Sequence, residues 1–287
     1  METISLPPHF PRHLQRVHLA HISPLTPDQS SQILARIIAA SKLPTRDDAA
    51  PSTREEEVEA AERERARLDY AFIDPTRICG RNHVVTAILQ AALVAARAEA
   101  RNQQPQQPGH QSGGMKTKTV HSEVIWCLSP GNNVGESLKR FGLTPQSTSL
   151  LLVRFSDAQL DASTVLDEML SIVPPSSETG PARLTIPPPP PAAPPATGTT
   201  ADAGADDAVQ DDIDSAIRYG GPSAHARARA RAPVTDWQQL NKIYKLSLPA
   251  PLLDRIKSSD WSDETRRQLE PYEDICCTSV AMKLVAA

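Results

Sequence analysis

Between Pro174 and Pro233 the chain runs through a stretch that no packed structure absorbs. "LTIPPPPPAAPPATGTTADAGADD" repeats a residue that fixes φ and lacks a backbone donor, and "AHARARARA" alternates basic residues with alanine and offers nothing to bury. The segment reads as a disordered insertion. Two shorter stretches read similarly. Within 44–69, "STREEEVEAAERERARLD" is densely charged, with Glu59 and Arg63 one helical turn apart, and suits a solvated helical insertion or disorder. "RNQQPQQPGHQSGGM" at 101–115 is a polar linker. The 27 prolines and the 4% aromatic content fit this division. The remainder of residues 12–287 is small enough for one domain.

That remainder interleaves strand and helix patterns. "RVHLAHI" (16–22) reads as a strand, followed by a helix that Thr26 caps, with Pro27 in its first turn and Gln29 completing a capping box. "YAFIDPTRICG" is a short apolar strand stopped at Asp74-Pro75, and 82–100 is a long helix apolar on most faces. "HSEVIWCLS" reads as a strand, "PGNN" as a turn and "VGESLKRF" as a helix ended by Gly142. "STSLLLVRF" (147–155) is a second strand of this block and "ASTVLDEMLSIV" its closing helix. Beyond the long insertion come "DWQQLNKIYKL" and an apolar tail helix. The expected class is α/β in the α+β sense, a two-layer domain in which helices pack a small mixed sheet.

Composition and motifs exclude more chemistry than they suggest. The net charge of −4 leaves nucleic acid contact to a local patch. No run of eighteen apolar residues points to a membrane span, and the first residues lack the apolar core of a leader. Cys79, Cys127, Cys276 and Cys277 suit neither a disulfide framework nor a zinc site, so a soluble, reduced, intracellular protein is expected. The histidines show no metal-ligand spacing, and no phosphate-binding glycine loop occurs, so neither metal nor cofactor is expected. The one enzyme-like cluster is His121, Ser122, Glu123 and Cys127. On a strand, His121 and Glu123 share a face while Ser122 points away from its would-be base, and a mid-strand Cys127 is a small buried hydrophobe. A hydrolase using His121 with Ser122 or Cys127 is thus the weaker alternative, and a proline-rich scaffold binding SH3- or WW-type modules another. Lys116, Lys118, Lys139 and Arg140 form a local basic group suited to phosphates.

The order of three stretches carries a resemblance. A Lys/Thr segment leads into the Glu-bearing "HSEVIWCLSP", an "NN...E.LKRFG" helix follows, and "KIYKL" stands near the C-terminus. In these the chain resembles the small kinase-associated subunit of the KEOPS (EKC) complex, the p53-related-kinase-binding protein family, here with insertions. The resemblance implies a non-catalytic subunit that binds a small atypical protein kinase directly. Through the complex it would meet the tRNA-modifying catalytic subunit and the other KEOPS subunits. It would help hold tRNA for threonylcarbamoyl-adenosine formation next to the anticodon. It also implies links to telomere maintenance and transcription, and a place in the nucleus, at chromosomes, and in the cytoplasm. A docking subunit needs an apolar patch beyond its own core. The C-terminal helices are the expected kinase surface, through Trp237, Leu240, Ile243, Tyr244, Val280 and Met282. Lys116, Lys118 and Arg140 are the expected tRNA contacts.

Overall fold

The computed structural model describes residues 1–44, 55–102, 114–175, 213–218 and 234–286. Strands β1 (Glu2–Ser5), β2 (Arg16–Ile22), β3 (Ala71–Ile73) and β4 (Leu150–Ser156) form one sheet in the order β1-β2-β4-β3. The α+β class is observed, with two corrections. Every pairing is antiparallel, not mixed, and helices cover both faces, so there are three layers instead of two. The reason lies in the central strands. Val17 and Leu19 of β2, with Leu151, Val153 and Phe155 of β4, enter one core, while Ala20, Ile22, Leu150 and Leu152 enter another on the opposite face. The unbroken "LLLV" run of β4 is the signature of a strand buried on both sides.

Helices α1 (Pro27–Ser41) and α6 (Ala162–Ser171) cover the second face through Ile33, Val165 and Met169. The Thr26–Gln29 capping box forms as read. The first face carries α3 (Arg81–Asn102) and α4 (Val120–Leu128), with α5 (Val134–Phe141) packed on α4. Three C-terminal helices complete the chain: α7 (Trp237–Tyr244), α8 (Ala250–Lys257) and α9 (Asp263–Ala286). By length and composition α3 could cross a membrane, but here its Val84, Ala87, Ile88, Ala91 and Ala92 lie in the core beneath α4 and α9.

The expected strand at 121–129 is helix α4. Thr119 caps it by accepting the Ser122 N–H, and residues 123–128 are all buried, so neighbours on every side blur the helical period into a continuous apolar run. The insertions also contain packed elements. Helix α2 (Glu55–Arg67) buries Val58 and Ala61, and Arg65 of α2 donates to Pro44 O at 2.7 Å. Residues 213–218 are helical, with Ile213 and Ile217 in the first-face core. Asp214 accepts the Arg81 N–H at 2.6 Å, and Arg218 forks onto Glu273 while its Nε donates to Asp214 at 2.6 Å. Gly80 makes room for that guanidinium, since a Cβ there would stand 2.5 Å from Arg218 Nη2. The proline run, the Ala/Arg run and most of the 101–115 linker lie outside the described residues.

Candidate functional site

The cluster that looked enzymatic is bound to its own backbone. By the β3–β4 register, in which Ala71 faces Val153, residue 69 would sit opposite Phe155, yet β3 begins only at Ala71. His121 fills the gap. Its Nε2 accepts the Phe155 N–H at 2.9 Å, which leaves the proton on Nδ1, 2.9 Å from Asp69 Oδ1. Burial is the largest influence and opposes the Asp69 charge, but the hydrogen bonds of His121 and Thr119 together with the nearby Arg154 charge outweigh it and hold this carboxyl below its usual range. One ring nitrogen of His121 is therefore spent on the backbone, and the other lies within ion-pair range of the Asp69 carboxylate. Ser122 Oγ accepts from Thr119 Oγ1 at 3.2 Å, and Cys127 lies buried at the far end of α4, where burial pushes its thiol up to about 12. Neither stands as a nucleophile beside His121. Glu123, fully buried, accepts the backbone N–H groups of Lys116 (3.2 Å) and Thr117 (2.9 Å) and the Thr117 hydroxyl at 2.7 Å. It pins the Lys/Thr segment against α4.

Of the six residues expected on a docking surface, Trp237, Leu240, Tyr244 and Val280 are core. Tyr244 sits in a relay: its hydroxyl donates to Leu128 O and accepts from His83 Nε2 at 2.7 Å, while His83 Nδ1 lies 3.5 Å from Cys79 N. Ile243 is half-buried and Met282 is 52% exposed. On α9, Ile275 is 44% exposed and lies two turns before Met282 on the same outward stripe as Asp274 and Thr278. The neighbouring helix adds Leu89, also exposed, with half-buried Val85 and Leu93. Gln90 Nε2 donates to Ala281 O at 3.0 Å and ties α3 to α9 along this face. Sequence reading took 82–100 as apolar on most faces and did not single out Leu89, although its spacing from Val85 and Leu93 marks a helical stripe.

The basic residues divide into two places. Lys116 and Lys118 are exposed on the segment before α4. Arg140 instead lines a groove of about 240 Å³ with Arg77, Lys139, Gln239, Lys242 and Ile243. Asp74 fixes the turn that carries Arg77: it caps the 3₁₀ turn Pro75–Arg77 through the Thr76 N–H (2.9 Å) and accepts from Ser147 Oγ at 2.7 Å. Gly142 lets α5 end just after Lys139 and Arg140, because a Cβ there would stand 2.4 Å from Leu138 O. Arg77 pairs with Asp236 at 2.9 Å and Arg140 with Glu136, whereas Lys139 and Lys242 have no carboxylate partner among the described residues. Arg77 and Lys242 escaped sequence reading because they are far from Arg140 in the chain.

Polar groups spent on backbone, beside a two-helix apolar face and a basic groove, define a binding module of the α+β class. The family model for the Kinase binding protein CGI-121 family matches residues 29–181, more than half of the chain, and the chain belongs to that family. It is similar to the EKC/KEOPS complex subunit cgi121 of Neurospora crassa, 27% identical over 75% of this chain and 79% of that protein. It is also 35% identical to the subunit of the same name from Aspergillus fumigatus over 32% of this chain. The Coccidioides immitis subunit is 33% identical over a similar share. The matches span 40% of the Aspergillus protein and 37% of the Coccidioides protein.

Proposed function

We propose that the chain is the kinase-binding subunit of an EKC/KEOPS complex, contributing surfaces and no catalysis of its own. The observation that carries this reading is that Leu89 of α3 and Ile275 and Met282 of α9, two helices packed on each other, stay exposed outside the core. Apolar side chains left outside a filled core are what a protein partner buries, and central anchors dominate such interfaces. A kinase is the class of partner that the family description supports, and the small atypical protein kinase of the complex is the one proposed here. Ile275→Glu and Met282→Glu should each weaken kinase affinity at least tenfold in calorimetry while the melting temperature stays within 2 °C or so, because both side chains point outward. A double variant that binds like the parent would place the kinase elsewhere.

The basic groove supports a second part of the proposal, contact with the tRNA on which such a complex acts. Lys139 and Lys242 are available for phosphates, with Arg77 and Arg140 beside them. Lys116 and Lys118 form a separate point of contact. Lys139→Glu with Lys242→Glu should flatten the salt dependence of tRNA binding by about two phosphate contacts, more than Lys116→Glu with Lys118→Glu does. The reverse ranking would move the RNA to the segment before α4. The nuclear, telomeric and transcriptional roles belong to the same proposal, which immunolocalisation of the full chain tests.

A further inference from the structure

Lys283, near the end of α9, is only 5% exposed and carries no salt bridge among the described residues. Its ammonium donates to three carbonyls, those of Trp126, Ser129 (2.6 Å) and Gly131 (2.9 Å), and lies 3.6 Å from the centre of the Trp126 ring. Three donors meet three acceptors, so the group is fully used. The Trp126 and Ser129 carbonyls stand at the C-terminal end of α4, where the helix dipole gathers negative potential that a cation offsets. Trp126 Nε1 donates to Asn132 O at 3.3 Å and closes the same loop. Burial lowers the Lys283 pKa to about 8, against the attraction of Cys127 and Glu123, so the ammonium remains mostly charged at neutral pH. One side chain from the end of the chain thus holds the backbone of the turn that launches α5.

Its neighbour Met282 points the other way, into the apolar face of α9. The last turn of a helix frays unless something seats it. We propose that Lys283 is a latch between the two surfaces: already closed on the 129–132 turn, it is held there more firmly when a protein docked over Met282 seats the last turn of α9, and α5 is thereby fixed with Lys139 and Arg140 in the basic groove. By linkage, filling the groove strengthens docking by the same factor. The coupling rests on the docking reading given above, whereas the ordering of the turn by Lys283 stands without it.

Amide hydrogen exchange on the full chain separates the two. In the chain alone, Lys283→Met should speed exchange across 129–134 at least tenfold while α3 amides hold. Adding the recombinant kinase should slow these amides at least threefold in the parent and leave the variant unchanged, although calorimetry finds both bound. Lys283→Gln, which keeps two donors, replaces the Met variant if that one fails to fold. Equal exchange in parent and variant overturns the latch; equal slowing by the kinase in both overturns the coupling. A parent that binds no kinase sinks the docking reading and the coupling together, and the exchange of the isolated chain still decides whether Lys283 orders the turn.

Discussion

Tyr244→Phe removes one oxygen from the middle of the relay that joins three helices. The ring stays, in contact with His83 and Phe141 at 5.5 and 6.2 Å between centroids, so packing changes little. What is lost is an acceptor for His83 Nε2–H and a donor to Leu128 O, both inside the core. Each buried group left unpaired costs about 1–1.5 kcal/mol, giving roughly 2–3 kcal/mol for the pair. For a domain of this size that is a fall in melting temperature of about 4–12 °C. Differential scanning calorimetry reads it directly, and kinase affinity measured well below the transition should stay within about twofold. A surface tyrosine would behave in the opposite way. An unchanged melting temperature with a tenfold loss of kinase affinity would refute the internal relay and return Tyr244 to the docking face.

Stability should fall with acid. Burial lowers the His21 and His83 pKa values to about 4 and about 3 from 6.5, so between pH 6.5 and about 4 the unfolded chain takes up protons that the fold refuses. The stabilisation is complete above pH 6.5 and is lost as pH drops through that window; His21→Leu should remove about 1.4 kcal/mol per pH unit from the slope near pH 5 in urea titrations. Neither ring nitrogen of His21 has a partner among the described residues, so the substitution abandons no hydrogen bond. Ile217→Ala should cost about 2–4 kcal/mol although it lies within the expected disordered insertion, and a linker replacing 176–212 alone should leave the melting temperature in place. His121→Ala should lower stability by about 1–3 kcal/mol by freeing the Phe155 N–H, with tRNA modification by the assembled complex retained; loss of modification with native stability would restore a chemical role.

Signals confined to a few neighbouring residues were legible. The Thr26–Gln29 box and the Gly142 helix end read correctly because their partners lie within one turn. "EVIWCL" did not, because its apolar run is compatible with a buried strand or a buried helix, and the choice is made by Thr119 and by neighbours on all sides. The segment 213–218 looked featureless beside its low-complexity flanks. Its order depends on Gly80, Arg81 and Glu273, all distant in the chain. The docking residues were misjudged for a related reason: Tyr244 and Met282 both look like anchors on a helical wheel, and only the packing of α3, α4 and α9 turns one inward and leaves the other out.

The central strand pair of the sheet has a consequence for synthesis. His18 of β2 meets Ser156 of β4 across 138 positions of chain, and β3 also has β4 as its sheet neighbour. At roughly 5–20 residues per second, β2 leaves the ribosome roughly 7 to 28 seconds before its partner exists. During that interval only the short β1 is at hand, and both faces of β2 carry side chains destined for a core. A nascent chain stalled before β4 therefore presents an unpaired strand edge and two sticky faces at once, which makes it a client for holding chaperones.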